Sequence, residues 1–214
     1  MTFDDYLVRW SVLHGGATVT MPIRMWLRFT FVLAHPLRKF HPNVITMLGL
    51  VVAGLTLACD FRLHLPSGVL APLILMLGVI DSLDGIVATI TDRNSPFGAF
   101  LDSLVDRIVD VSIALLLFNH GAPLAAVLAT ICLTLLHEYM RARASGLSVT
   151  EVGVITVGEK PTRIAIGVMF FLACAVMNQH TELLVSLAAD IWCAISLVAC
   201  IQLFTSIKHR LLQG

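Results

Sequence analysis

Along most of this chain, polar residues are confined to short breaks between long apolar windows. The windows fall at 44–59, 69–90, 97–118, 123–140, 164–177 and 183–205. About 20 helical residues cross a hydrocarbon layer of roughly 30 Å, so the pattern predicts an all-α integral membrane protein with six transmembrane helices. The windows at 44–59 and 164–177 are short for a crossing, and their helices are expected to begin about a turn before the strictly apolar residues. Residues 21–40 read differently. Arg24, Arg28, Arg38 and Lys39 interleave there with Trp26, Leu27, Phe29, Phe31 and Leu37. That mixture suits an amphipathic helix lying in the headgroup plane, the alternative being a helix packed on a partner. The expected division is an N-terminal cytoplasmic and interfacial segment, 1–40, followed by one six-helix domain, 41–214. No internal repeat calls for a further domain.

Composition supports the membrane reading. Hydrophobic residues make up 57% of the 214 and charged residues 13%, with a mean hydropathy of +0.89, too apolar for a soluble domain of this length. The opening stretch is polar and mixed, with Asp4, Asp5, Arg9 and the Gly15–Gly16 pair, so the first apolar window is expected to remain in the mature chain. The five cysteines lie in or beside apolar windows without C-x-x-C spacing and read as packing residues. Net charge is zero, but its distribution is uneven. With six spans and a cytoplasmic start, nearly all Lys and Arg fall at the inner face and only Arg62 falls outside. The positive-inside rule therefore predicts both termini in the cytoplasm, most simply at the cell membrane. The longest inner connection, 144–159 with Gly146, Gly153 and Gly158, could cover a cytoplasmic opening.

Candidate chemistry is concentrated in two adjacent windows. Asp81 and Asp84 are spaced i, i+3, with Gly85 and Ala88 continuing the same side of the helix; Gly98, Asp102 and Asp106 are spaced i, i+4, i+8. A short turn makes the two helices antiparallel. At 1.5 Å per residue, Asp84 lies roughly 12 Å from Asp92, and Asp102 roughly 8 Å from Phe97, so all four carboxylates can meet at similar depth near the cytoplasmic side. An acid at the centre of a membrane helix costs about 2.5–3.5 kcal/mol. Like charges at close range also oppose each other's ionisation, and Arg107 alone does not balance four of them. An all-oxygen set without His or Cys suits Mg²⁺, Mn²⁺ or Ca²⁺, one or two ions offsetting the charge. A carboxylate-held metal open to a cavity is a common device for phosphate-ester chemistry. The rival readings are acids that serve helix packing, and a cation or proton transporter using the carboxylates as its ion site; the absence of an inverted repeat or broken helix weighs against transport.

The run Asp81-Ser82-Leu83-Asp84-Gly85-Ile86-Val87-Ala88-Thr89, followed by Gly98-Ala99-Phe100-Leu101-Asp102-Ser103-Leu104-Val105-Asp106, resembles the signature of the CDP-alcohol phosphotransferases, D-x-x-D-G-x-x-A-R-x8-G-x-x-x-D-x-x-x-D. One position departs, Thr89 standing where the family has Arg, and Arg93 one turn later is a candidate to supply that charge. The segment Pro42-Asn43-Val44-Ile45-Thr46 resembles the opening of the family's first helix, beside the nucleotide. The missing proline after the third Asp, Asp102, together with Arg141, Arg143, Lys160 and Arg163, is similar to the inositol-phosphate-using branch.

The resemblance implies a homodimeric six-helix fold with a cytoplasmic cavity and two Mg²⁺ or Mn²⁺ ions on Asp81, Asp84, Asp102 and Asp106. It also implies CDP contacts from Pro42, Asn43, Thr46, Gly85, Ala88, Thr89, Arg93, Ser95 and Gly98, and Asp106 as general base. The implied reaction moves a phosphatidyl group from CDP-diacylglycerol to a polyol phosphate and releases CMP. Inositol phosphate is favoured as acceptor, and glycerol 3-phosphate, the substrate of a phosphatidylglycerophosphate synthase, is the alternative.

Outside the signature, the four cations are expected to hold an anionic acceptor, with headgroup anchoring as the plainer reading. Asp110 is expected to support Arg107 or to pair structurally, Glu138 to pair with Arg141 along one helix, and Asp190 to make a polar interhelix contact. The eight histidines show no metal-ligand spacing, and no nucleic-acid motif is present.

Overall fold

The computed structural model describes residues 1–13, 19–147 and 156–213. The described residues are helical throughout, without a strand: α1 (Phe3–Leu13), α2 (Met21–Ala34) with a 3-10 turn at His35–Lys39, α3 (Pro42–Leu63), α4 (Ser67–Ile90), α5 (Pro96–Asn119), α6 (Leu124–Ser145), α7 (Lys160–Val176) and α8 (Thr181–Gln213), the last preceded by a 3-10 turn at Asn178–His180. The six apolar windows correspond to α3 through α8. Helix α7 begins about a turn before its window, at Lys160, while α3 begins only two residues before its own, at Pro42. Four of these helices, α3, α4, α6 and α8, are long and apolar enough to cross a membrane. On α3 the outward stripe Val44, Met47, Leu48, Val51 and Leu55 is exposed, as expected of a helix whose solvent is lipid. In α5, Asp102, Asp106, Arg107 and Asp110 lower the apolar character of a 24-residue helix, and α7 has 17 residues.

Local chemistry sets the helix ends. Thr2 and Asp5 form a reciprocal cap at the start of α1: Thr2 N donates to Asp5 Oδ2 at 2.9 Å, and Asp5 N to Thr2 Oγ1 at 3.2 Å. The bonds from Thr2 hold the Asp5 carboxyl below its usual pKa. Helix α4 ends with Asp92 in the left-handed region, φ 51°, while Arg93 N reaches back to the Ala88 carbonyl at 3.0 Å. Helix α5 then starts on Ser95, whose Oγ accepts the Gly98 N–H at 3.0 Å, with Pro96 at the first helical position. Gly121, φ 109°, turns the chain between α5 and α6.

The chain forms two compact units, Met1–Ala53 with Met76–Ile108, and Gly54–Leu75 with Val109–Gly214. In the first, Tyr6 of α1, Leu27 and Ala34 of α2, Ile45 of α3, and Ile80, Leu83, Ile86 and Val87 of α4 form a buried cluster. One face of α2 is thus packed against protein. Met21, Met25, Phe29 and Val32 stay exposed on the same helix as Arg24 and Arg28. Arg9 Nη1 meets Asp92 Oδ1 at 2.7 Å, and Trp26 Nε1 donates to Ser82 Oγ at 3.0 Å.

In the second unit, α6 and α8 are joined by Thr130 Oγ1 to the Ala189 carbonyl at 3.0 Å, Thr134 Oγ1 to Ser196 Oγ at 3.3 Å and Cys200 Sγ to the Leu133 carbonyl at 3.4 Å. Trp192, Phe171, Ile74, Ile113 and Leu203 are buried. Part of the connection 144–159, including Gly153, lies outside the described residues. Gly158 is described, and a Cβ there would fall 2.7 Å from Ala199 Cβ, so only glycine permits this approach to α8.

Candidate active site

The antiparallel turn between α4 and α5 brings three of the four signature acids together. Ligand oxygens of Asp81, Asp102 and Asp106 lie within 4.8 Å of one another, all half-buried. Arg107 Nη2 meets Asp106 Oδ2 at 3.2 Å. The fourth acid, Asp84, is buried, and its Oδ2 accepts a hydrogen bond from Thr46 Oγ1 at 2.6 Å. Close convergence of half-buried carboxylates, with only oxygen donors, fits a hard divalent cation.

Asp84 and Asp102 also line a cavity of about 190 Å³. Of the residues assigned to the nucleotide from sequence, Pro42, Asn43, Thr46, Gly85, Ala88, Arg93, Ser95 and Gly98 line it. A Cβ on Gly85 would meet nothing within 4 Å, so this glycine leaves room at the cavity. At Gly98, a Cβ would fall 3.0 Å from Ser95 Oγ and 3.1 Å from Asn43 Oδ1. Arg93 is exposed, with Nη1 3.4 Å from the Phe40 carbonyl. Thr89 is buried, and its hydroxyl donates to the Gly85 carbonyl at 2.8 Å. Asn94 and Ala99 line the cavity as well; they follow Arg93 and Gly98 directly, and that adjacency was the available signal.

The four predicted acceptor cations all belong to the second unit. Arg163 is buried and paired with Asp110, and its Nη2 is 2.8 Å from Glu138 Oε1. Arg141 Nη2 meets Glu159 Oε1 at 2.6 Å. That same oxygen accepts from Thr156 N at 3.0 Å and Thr156 Oγ1 at 3.1 Å, and Thr156 Oγ1 is 3.0 Å from His137 Nε2. Arg143 is exposed and Lys160 half-exposed. The expected Glu138–Arg141 pair is thus replaced by longer-range pairs, Glu138 with Arg163 and Arg141 with Glu159. Asp110 serves Arg163, and Asp190 is exposed on α8.

A third buried acid, besides Asp84 and Asp110, escaped the sequence reading altogether. Asp60 of α3 accepts from Leu65 N at 2.9 Å and Asn119 Nδ2 at 2.9 Å, and its Oδ1 lies 3.0 Å from His120 Nε2.

Residues 39–202 match the CDP-alcohol phosphatidyltransferase family. The chain belongs to that family, and with it to the transferases of phospholipid biosynthesis. Similar relatives include the archaetidylinositol phosphate synthases of Pyrococcus horikoshii, 35% identical over 60% of this chain and 69% of that protein, and of Aeropyrum pernix, 32% identical over 70% and 75%. The phosphatidylinositol phosphate synthase of Corynebacterium glutamicum is 32% identical over 61% and 62%. The fold is that of the phosphatidylinositol phosphate synthase of Mycobacterium tuberculosis. Its crystal structure with CDP-DAG bound has a TM-score of 0.65 at 23% identity, covering 84% of this chain and 94% of that one. The structure with manganese and citrate gives 0.67 at 24% identity, over 83% and 88%. Family membership decides against the transport alternative.

Proposed function

We propose that this protein transfers a phosphatidyl group from a CDP-linked lipid such as CDP-diacylglycerol to a hydroxyl of a polyol phosphate, inositol phosphate foremost, and releases CMP. The observation that carries the reading is the convergence of Asp81 and Asp106 with Asp102, which itself lines the cavity. Asp81, Asp84, Asp102 and Asp106 would hold Mg²⁺ or Mn²⁺, two ions by family resemblance, and bound ions would neutralise charge on the pyrophosphate. Asn43, Gly85, Ala88, Ser95 and Gly98 shape the nucleotide side. Arg93 offers the guanidinium that Thr89, committed to the Gly85 carbonyl, does not. Asp106, oriented by Arg107, accepts the proton of the acceptor hydroxyl as its oxygen attacks the lipid-side phosphorus and CMP departs.

For the acceptor phosphate we assign Arg141, Arg143, Lys160 and Arg163. Arg163 is held by Asp110 and Glu138, and exposed Arg143 presents a guanidinium fork. The names of the relatives support inositol phosphate over glycerol 3-phosphate. We further propose six spans, α3 to α8, with both termini and the site on the cytoplasmic side of the cell membrane, and a homodimer. The 24-residue length of α5 supports the span count. The exposed Met25, Phe29 and Val32 beside Arg24 and Arg28 support an interfacial α2.

The test is CMP release by the purified protein from CDP-diacylglycerol with Mg²⁺ or Mn²⁺, using inositol 1-phosphate, glycerol 3-phosphate, serine, inositol or no acceptor. Release fastest with inositol 1-phosphate and lost in Asp106→Asn is expected. Release with glycerol 3-phosphate alone would move the protein to the phosphatidylglycerophosphate branch, and no release with any acceptor would overturn the reading.

A further inference from the structure

Asp84 is the one signature acid outside the three-carboxylate cluster, and it is gripped by a residue of a different helix. Thr46 of α3 and Asp84 of α4 are each 5% exposed, and Thr46 Oγ1 lies 2.6 Å from Asp84 Oδ2. The same hydroxyl is 3.3 Å from the Pro42 carbonyl, its i−4 neighbour. A hydroxyl has a single proton to donate. The shorter contact, to a carboxylate, wins it over the longer one to a neutral carbonyl. A β-branched side chain in a helix has few χ1 choices, and the Pro42 contact identifies the one in use, in which the oxygen back-faces the preceding turn. The Thr46 oxygen is therefore a fixed point. An aspartate's terminal torsion, by contrast, is broad and roughly two-fold, so a carboxylate without such a donor samples many orientations.

We propose that Thr46 is a positioning residue for the metal centre: its hydroxyl fixes the plane of the Asp84 carboxylate and so sets the affinity of the site for a divalent cation. This assigns Thr46 a role distinct from the nucleotide contact implied by its place in the chain, and it rests on the reading of the acids as a divalent-cation site. Both residues line the cavity with Asp102, so the bond also ties the start of α3 to α4 at the point where nucleotide and cation would share the site. Partners that orient metal ligands typically contribute about 10–100-fold in affinity when removed.

The test needs no turnover. Mn²⁺ is titrated into the full-length protein in detergent, without substrate, and free Mn²⁺ is read by its electron paramagnetic resonance signal. Thr46→Val keeps the shape and loses the donor; Thr46→Ser keeps the donor and loses the methyl; Asp102→Asn reports on the site itself. The expected result is Mn²⁺ binding weakened about tenfold or more in Thr46→Val, binding close to wild type in Thr46→Ser, and loss in Asp102→Asn. Wild-type affinity in Thr46→Val with loss in Asp102→Asn overturns the role of Thr46 and leaves the metal centre standing. Equal weakening in the valine and serine variants overturns it too, since the methyl would then be the feature that matters. Absence of Mn²⁺ binding by the wild type overturns the metal centre and this inference together. If Thr46→Val does not fold, Thr46→Ala against Thr46→Ser makes the same comparison.

Discussion

Asp102 and Asp110 lie about two turns apart on α5 and keep different company. Asp102 lines an open cavity with two further carboxylates within 4.8 Å. Asp110 is buried against Arg163, which also reaches Glu138, while Arg141 meets Glu159. In the second group the protein supplies both signs of charge, so the charges offset one another from within. In the first, Asp81, Asp102 and Asp106 converge, with Arg107 against Asp106, and this oxygen-donor set suits a hard cation. Acidic residues in apolar helices are therefore not one class of feature. What separates a ligand site from a structural network here is the balance of charge among neighbours and access to a cavity.

The sharpest way to break this comparison is to neutralise one acid on each side of it. Asp106→Asn should lower phosphatidyl transfer by about 10²–10⁴-fold. Its thermal unfolding midpoint should match or exceed wild type, because a like-charge contact is relieved. Arg163→Ala should behave in the opposite sense, costing about 3–5 kcal/mol of stability by leaving Asp110 buried without its guanidinium. Pairing Arg163→Met with Asp110→Leu should recover much of that loss in the same unfolding assay. If Arg163→Ala unfolds like wild type, the pairing with Asp110 carries no structural load and the contrast fails.

A smaller effect is expected of Arg93→Ala, roughly tenfold weaker CDP binding by calorimetry with an unchanged unfolding midpoint, since the exposed guanidinium contributes a charge-assisted contact and little packing. Smallest of all is Arg9→Ala. The Arg9–Asp92 pair is exposed at both ends, so its loss should cost less than about 1 kcal/mol.

The helices of this fold were legible because a bilayer imposes length and apolarity on each crossing. The start of α7 at Lys160 followed from the same arithmetic. The meeting of Asp81, Asp102 and Asp106 was legible because i, i+3 and i, i+4 spacing fixes a helix face, and a five-residue turn, 91–95, leaves two helices little choice but to run antiparallel. Side-chain partners across long sequence separations were not legible. Asp84 finds Thr46, 38 residues away, and Arg163 finds Asp110, 53 residues away. The nearer i, i+3 pairing of Glu138 with Arg141 looked simpler from sequence, but tertiary packing set other partners. Asp60 and His120 were passed over because polar residues at the ends of spans usually face headgroups; here Asn119 and the Leu65 N–H complete a buried set around Asp60. The helix α1 was hidden by its shortness and by the charges Asp4, Asp5 and Arg9 among its apolar residues; Tyr6, with Phe3, Leu7 and Trp10, shows how it packs.

The central claim is that the α4–α5 carboxylates and the adjoining cavity form one cation-dependent CDP site. It is tested most directly by thermal unfolding of the detergent-solubilised protein with CDP, in Mg²⁺ and in EDTA. The account predicts that CDP raises the unfolding midpoint in Mg²⁺, that EDTA abolishes the shift, and that Asp102→Asn shows no shift in either. A shift of equal size in EDTA, or none in Mg²⁺, would contradict it.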